Sequence, residues 1–451
     1  MAFQIALTDL VQVTGARLMG EPSSVSSTLG YGVSTDTRSL RPNDWFLALV
    51  GERFDGHAFV DTAIAQGAAG VIVQHPVSVE PQLQVPDTLA AYQAIARWWR
   101  QQLQTPLVAV TGSVGKTTTK ELIAAALQTQ GPVWKTTANY NNEIGVPQTL
   151  LGLTREHRYG VIEMGMRGRG QIAALAQMTQ PNIAVITNVG TAHIELLGSE
   201  QAIAEAKCEL LGGLSLNGIA VLNFDNARLM DTAARVWSGR CITYGLTGGD
   251  IHGQLVSNDQ LVVEGISLPL PLPGAHNASN FLAAIAVMSA LQLDWRSLQT
   301  GLAVTLPSGR AKRLTLANDI VLLDETYNAG AESMQAALRL LKGIPGRRHI
   351  AVLGTMKELG PYSLRLHSQV GQCVSELGLD ALLTLASPAE TEALVNGAAP
   401  VPTISFTDPD SLIRYLSALL QSGDRVLFKA SRAVALDQVV DALQQRLAVA
   451  E

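Results

Sequence analysis

Cysteine is scarce in this chain, and its few copies are scattered. Cys208, Cys241 and Cys373 lie far apart, with no metal-binding spacing and no even disulfide framework. That pattern points to a reducing compartment, and a cytoplasmic location is expected. A surplus of basic charge is also missing. Lys and Arg number 32 against 38 Asp and Glu, a net charge of -6, which disfavours nucleic acid as the main partner. No uninterrupted apolar run approaches the length of a membrane span. The first fifteen residues show no basic region followed by an apolar core, so a chain without a signal peptide is expected. Low-complexity tracts and short-period repeats are absent. What is present is apolar: 47% hydrophobic residues and 16% charged, enough for large packed cores over 451 residues and a length prior of about three domains.

The chain is organised around TGSVGKTTTK at 111–120. An apolar run at 107–110 leads into a glycine-rich turn, and a helix-like segment follows it. This is the strand–loop–helix of a phosphate-binding loop. Backbone N–H groups at a helix N-terminus face an anion, glycines allow close approach, and a lysine adds charge. Gly112, Ser113, Gly115, Lys116 and Thr118 are the candidate phosphate ligands, and Thr117 supplies a hydroxyl suited to Mg²⁺. The place where the longer loop pattern has its first glycine is taken by Val110.

Three α/β units are expected, at 1–104, 105–306 and 307–451. The first is a small unit with a helix at 8–15 stopped by Gly15, strands at 44–50 and 70–73, and a linking helix at 88–102. Its polar loops carry Ser34, Asp36, Arg38 and His57, which as sequence alone read as solvated turns. The second unit alternates strands (107–110, 159–163, 183–188, 219–223) with helices, which implies a parallel sheet. Ligands in such sheets collect at the carboxyl ends of strands. Glu163 stands at one such end and suits Mg²⁺, while Asn188, Thr191 and His193 stand at the next. The loop 136–145 is rich in amides, including Asn139 and Asn142. Lys207 reads as a surface helix lysine. Residues 241–272 read as a β-meander, and 274–280 opens an apolar helix in which Asn277 or a neighbour is a candidate cap and Asn280 a candidate for hydrogen bonding to a base. A hinge is expected at Gly309-Arg310. The third unit shows strands at 320–324, 350–354, 381–385, 403–406 and 426–429 with helices between.

In order, the motifs are STDTR (34–38), GERFDGH (51–57), TGSVGKTTTK (111–120), NYNNEIGVP (139–147), EMG (163–165), NVGTAHIE (188–195), AKCELL (206–211), GAHNASN (274–280), DETYNA (324–329), LGTMKELG (353–360) and KASR (429–432). In this order they resemble the Mur ligases of peptidoglycan synthesis. Within that family the nearest resemblance is to the ligases that add D-alanyl-D-alanine to a UDP-N-acetylmuramoyl-tripeptide. NNEIGVP, DETYNA followed by ESM, and LGTMKELG with the later His367 carry that distinction.

The resemblance implies an N-terminal domain that holds the UDP end of the substrate, a central ATPase domain and a Rossmann-like C-terminal domain. It implies ATP and two Mg²⁺ ions, an acyl-phosphate intermediate, large domain closure, and a monomer. Lys116 and the loop amides would hold phosphates. Thr117 and Glu163 would hold one Mg²⁺, and His193 would help a second. Lys207 matches a lysine that is carbamylated in relatives, which displaces its surface reading. Asn280 and Arg310 would contact adenine and phosphates, and Asp324 the ribose. Ser34, Asp36, Arg38 and His57 would face the uridine diphosphate sugar, with Asn139, Asn142 and Thr191 along the muramoyl-peptide path. Tyr327 and Asn328 would meet the dipeptide, and Lys429 and Arg432 would join the site on closure. The chain departs from the family pattern at Gly330, where the following proline is lacking, at Thr355 in place of aspartate, at 166–171, and at Ala430 in place of glycine. The alternatives are a sister ligase adding a single amino acid, a non-catalytic nucleotide-binding scaffold, and a motor or transporter ATPase. The scaffold is disfavoured by the presence of Lys116, Glu163 and His193 together, and the last by the lack of a span or repeated ATPase units.

Overall fold

The structure, a computed structural model, describes residues 3–19, 29–52 and 54–448. Three sheets organise the chain. The first has strands β1 (Arg17–Met19), β2 (Gly32–Ser34), β3 (Asp44–Leu47), β4 (Gly70–Val73) and β5 (Gln82–Gln84), in the order β1-β5-β4-β3-β2. β2 to β5 run parallel and β1 is antiparallel at the edge. Helix α1 (Thr88–Gln101) follows, with the Asp87 carboxylate accepting from Leu89 N and Ala90 N. α1 is bolted to the next unit: Trp99 Nε1 donates to Leu153 O at 2.9 Å, and Arg100 Nε donates to Thr179 O at 2.9 Å. The helix expected at 8–15 is observed as Leu7–Thr14. Gly15 ends it at φ 65, but Ala6 stands at its start, so no side chain caps it.

The central sheet has nine strands: β6 (Leu107–Thr111), β7 (Val133–Lys135), β8 (Tyr159–Glu163), β9 (Ile183–Ile186), β10 (Ile219–Asn223), β11 (Arg240–Gly245), β12 (Ile251–Ser257), β13 (Gln260–Val263) and β14 (Ile266–Pro269). The order is β7-β8-β6-β9-β10-β11-β12-β13-β14. The pairs from β7 to β12 are parallel, and β13 and β14 return antiparallel. The expected meander therefore begins later than the sequence suggests. β11 joins the parallel sheet because its residues pair in register along β10, from Ile219↔Arg240 to Asn223↔Tyr244. β6 is buried at every position, which explains its uninterrupted apolar run. Helices α2 (Lys116–Gln128), α3 (Gly145–Leu151), α4 (Glu200–Cys208) and α5 (Ala275–Ala290) cover this sheet. α5 packs against α2 with nearly all of its central residues buried.

The third sheet has β15 (Lys312–Leu316), β16 (Ile320–Asp324), β17 (Arg348–Gly354), β18 (Ala381–Leu385), β19 (Thr403–Phe406) and β20 (Asp424–Lys429), in the order β15-β16-β20-β17-β18-β19. Only β15 is antiparallel. Helices α6 (Ala331–Lys342) and α7 (Ser363–Glu376) lie on this unit. Among the described residues, no helix is long and apolar enough to cross a membrane.

Candidate active site

The loop after β6 turns into α2 through two glycines whose conformation side chains would oppose. Gly112 has φ 154, and a Cβ there would meet Thr187 Oγ1 at 1.9 Å. Gly115 has φ 80, and a Cβ there would meet Asn280 Oδ1 at 2.7 Å. The loop is braced from β9: Val114 N donates to Asn188 Oδ1 at 3.0 Å, and Thr187 Oγ1 donates to Val114 O at 2.7 Å. Lys116 folds back over it, donating to Gly112 O at 2.8 Å and Ser113 O at 3.2 Å. Burial pushes the Lys116 ammonium below its ordinary pKa, the nearby Arg310 adds to that, and Glu163 opposes it.

A cleft of about 1600 Å³ opens above this loop. Of the residues expected from sequence, Ser113, Gly115, Lys116, Thr117, Thr118, Asn139, Asn142, Glu163, His193, Asn280, Arg310, Tyr327, Asn328, Lys429 and Arg432 line it. Glu163 ends β8 almost wholly buried. Its Oε1 accepts from Asn141 Nδ2 at 2.8 Å, while its Oε2 has no hydrogen-bond partner. Behind it, Lys120 Nζ stands 3.9 Å from Oε2, donates to Thr136 O at 2.8 Å and pairs with Glu121 at 2.9 Å. Across the cleft, Arg310 stacks on Tyr327, with the guanidinium carbon 3.8 Å from the ring centroid, and its Nε is buried without a partner. Lys429 Nζ donates to Asn328 O at 3.1 Å and lies 3.7 Å from Glu325 Oε2. Burial holds its ammonium below the ordinary range, with Glu325 opposing.

His193 adopts φ 66, a left-handed conformation uncommon for residues other than glycine. Its Nδ1 meets Glu358 Oε2 of the third unit at 2.6 Å. Burial lowers its pKa, and Lys116 adds to that. Lys207, read from composition alone as a surface residue, is 1% exposed. Burial, and then Lys116, place its pKa well below the ordinary lysine value. Both effects disfavour the charged form of this amine.

Most of the remaining residues serve the frame around the cleft. Asp324 is buried at the end of β16, where its Oδ1 accepts from Thr326 N at 3.1 Å and Thr326 Oγ1 at 2.6 Å; it does not line the cleft, whereas the adjacent Glu325 does. Thr191 is held by Glu332 of α6, donating from N at 2.7 Å and from Oγ1 at 3.1 Å. Asn142 lines the cleft but also starts α3, accepting from Gly145 N at 2.9 Å. The neighbour Gly274, not Asn277 itself, stands at the cap position of α5; Asn277 lines the cleft, and its Nδ2 donates to Pro273 O at 2.9 Å. Gly112 lies beneath the cleft as the turn itself. Ser34, Asp36, Arg38 and His57 do not line the cleft. Asp36 pairs with Arg38 at 2.6 Å, and that neighbour holds its carboxyl below the ordinary range. Asp55, His57 and His75 bring ligand-type atoms within 4.8 Å of one another. Both ring nitrogens of His57 are nonetheless taken, Nδ1 by Asp55 at 2.6 Å and Nε2 by the Gln74 N–H at 2.9 Å. This trio builds a turn. Asn141, Glu332 and Glu358 were given no role from sequence, although Asn141 stands in the amide-rich run, Glu332 in the ESM motif and Glu358 in LGTMKELG. What the sequence does not show is the contact each glutamate makes, because its partner comes from another unit.

The sequence matches the Mur ligase middle domain over residues 110–288, the Mur ligase glutamate ligase domain over 309–432, and the Mur ligase family catalytic domain over 31–133. The chain belongs to the Mur ligase family. This Mur ligase is 57% identical over 415 residues to the UDP-N-acetylmuramoyl-tripeptide--D-alanyl-D-alanine ligase of Synechocystis sp., covering 91% of each chain. It is 37% identical to the Escherichia coli protein of the same name, covering 98% of each. Among solved structures it resembles crystal structure I of MurF from Acinetobacter baumannii, at a TM-score of 0.89 and 31% identity over 98% of this chain and 99% of that one. It also resembles MurF from Thermotoga maritima in complex with ADP, at a TM-score of 0.83 and 30% identity over 93% and 98%.

Proposed function

We propose that this Mur ligase joins D-alanyl-D-alanine to UDP-N-acetylmuramoyl-tripeptide at the expense of ATP, making the UDP-muramoyl-pentapeptide of peptidoglycan synthesis. One observation carries the reading. Among the described residues, two buried polar atoms without a hydrogen-bond partner belong to residues that line the same cleft from different units: an anionic oxygen, Glu163 Oε2, with Lys120 Nζ 3.9 Å away, and a cationic donor, Arg310 Nε. Buried polar groups are almost always paired within the protein, so a matched cation-seeking and anion-seeking pair fits a ligand that is a metal-bound polyphosphate.

On this reading residues 1–104 take the UDP end, 105–306 take ATP, and 307–451 close over both. The loop amides and Lys116 cradle the β- and γ-phosphates. Arg310 donates to phosphate oxygens while Tyr327 fixes its plane, and Asn280 lies against the adenosine end. Thr117, Glu163 and His193 have the hydroxyl, carboxylate and imidazole to hold Mg²⁺, which when bound neutralises charge on the phosphates. Lys207, as a carbamate, would add an anionic oxygen to that set. The peptide's terminal carboxylate attacks the γ-phosphorus, ADP departs, and an acyl phosphate forms. The dipeptide amine then attacks the acyl carbon, loses a proton, and phosphate leaves as the amide forms. Lys429 and Arg432 offset the negative charge of two anions brought together, the main electrostatic barrier to the first step.

The test is phosphate release from MgATP with UDP-muramoyl-tripeptide and D-Ala-D-Ala supplied singly and together. Release that needs both, with the pentapeptide product seen by mass, is expected. Release that needs a single amino acid instead assigns the chain to a sister ligase, and no release with any pair restores the scaffold reading.

A further inference from the structure

The contact between His193 and Glu358 joins two units and two unusual backbones. His193 has φ 66 and Glu358 φ 62, both left-handed and neither glycine. Residues kept in that region cluster at functional sites, where the surroundings hold them. Here the surroundings do so on both sides. The Glu358 turn is pinned within its own unit: Met356 N donates to His367 Nε2 at 3.0 Å, and Lys357 N donates to Ser431 Oγ at 2.9 Å. The His193 loop is clasped by the bidentate Glu332–Thr191 contact. The two turns then dock. Glu195 N approaches Glu358 O at 3.4 Å, Gly360 at φ 49 lies against the Glu195 side chain, and Tyr362 Oη donates to Gly198 O at 2.9 Å. The result is a histidine whose Nδ1 faces a carboxylate at 2.6 Å in a residue that lines the cleft.

We propose that Glu358 is a positioning residue for His193. Its carboxylate takes the Nδ1–H of the ring, fixes that tautomer and the ring plane, and so leaves Nε2 with its lone pair free for the metal of the phosphate site. A histidine that holds a metal through one ring nitrogen generally donates the other to such a partner, and losing the partner weakens metal binding. Because Glu358 belongs to the C-terminal unit and His193 to the central one, docking of the two units completes the metal site as well as covering it. The inference rests on the metal role given to His193 above.

The experiment uses the full chain in two readouts. Histidine-selective ¹⁵N NMR of the protein without metal reads the tautomer, with the His193 signal assigned through His193→Gln. Titration of Mn²⁺ in the presence of ADP, followed by electron paramagnetic resonance, reads metal affinity. The Nδ1–H tautomer is expected in the unaltered protein. In Glu358→Ala the signal should move toward the Nε2–H form that free imidazole side chains favour, and Mn²⁺ affinity should fall roughly 10–100-fold. Glu358→Gln, whose amide oxygen still accepts from Nδ1–H, should keep the tautomer and recover part of the affinity. An unchanged tautomer in Glu358→Ala overturns the proposal, and so does a changed tautomer with unchanged Mn²⁺ affinity. Absence of Mn²⁺ binding by the unaltered protein with ADP refutes the metal role itself, and the metal-free spectrum separates that result from failure of the positioning claim. Thermal melting of each variant confirms that the fold is retained.

Discussion

Two sets of motif residues in this molecule look alike in sequence and differ in what their polar atoms do. In the turns of the N-terminal unit the candidate groups are spent locally. Ser34 Oγ donates to Asp36 O at 2.9 Å, Asp36 holds Arg38, and His57 is bonded at both ring nitrogens. In and behind the cleft the groups are buried: among the described residues Glu163 Oε2 and Arg310 Nε have no hydrogen-bond partner, and Lys116, Lys207 and Lys429 have their charge disfavoured by burial. A satisfied polar group is scaffold until a ligand is shown to compete for it. An unsatisfied buried one is a cost to folding of roughly 1–3 kcal/mol that makes sense when a ligand completes it.

The largest effect that could break this contrast is expected at Lys116. Lys116→Ala removes the cation of the phosphate loop and should lower turnover by about 10²–10³-fold or more, because one preorganised charge at the transition state is worth that much. The same change relieves a buried charge, so the melting temperature should hold or rise. Phosphate release and calorimetry on one preparation read both. Undiminished turnover would remove the loop from the chemistry, and collapse of the fold would make Lys116 a structural residue like His57.

His57 is the counterpart. His57→Ala deprives the Gln74 N–H of its acceptor and leaves a hole in a buried turn, with an expected loss of roughly 1–3 kcal/mol. Arg38→Ala, at a side chain 88% exposed, should leave the melting temperature where it was. If UDP-sugar recognition depends on this face, Arg38→Ala raises the KM for the nucleotide-peptide with little change in kcat. A KM unmoved by either change would confine both residues to scaffold.

The strands were legible because the parallel sheets bury both faces, so 159–163, 219–223, 320–324 and 381–385 stand out as short apolar runs with polar ends. β7 and β15 were not: Val133–Lys135 is only three residues long, and Lys312–Leu316 opens on two exposed charged residues. Within the site, the phosphate loop and Glu163 follow from residue type and spacing. Lys207 does not: its helix pattern is that of a surface lysine, and only packing shows the side chain sealed from water. The contacts of Glu332 and Glu358 lie further still from sequence reasoning, because each joins residues more than a hundred positions apart whose meeting depends on how two units dock.

The smallest effect tests the scaffold half of the contrast through protons. His367 is wholly buried, accepting from Met356 N–H at Nε2 and donating from Nδ1 to Ser363 O at 2.8 Å, so one nitrogen holds the turn that carries Glu358 and the other ties the ring to the start of α7. That arrangement requires the neutral ring, and burial holds its pKa below the ordinary histidine value of about 6.5. Above that value neither the folded nor the unfolded chain protonates the group, and its stabilisation is fully present. As pH falls below about 6.5 the unfolded chain takes up the proton first, so stability declines until the folded-state pKa is reached. The slope from this residue is at most about 1.4 kcal/mol per pH unit. Burial also lowers the pKa of His157, His193 and His276, so the whole protein should lose stability in the same direction. The residue is isolated by difference. His367→Asn should be less stable than the unaltered chain at pH 8, and the gap should narrow toward pH 5 in denaturant titrations. Parallel curves for the two proteins would mean that His367 keeps an ordinary pKa, and that the turn behind Glu358 is held by packing instead of by the two ring hydrogen bonds.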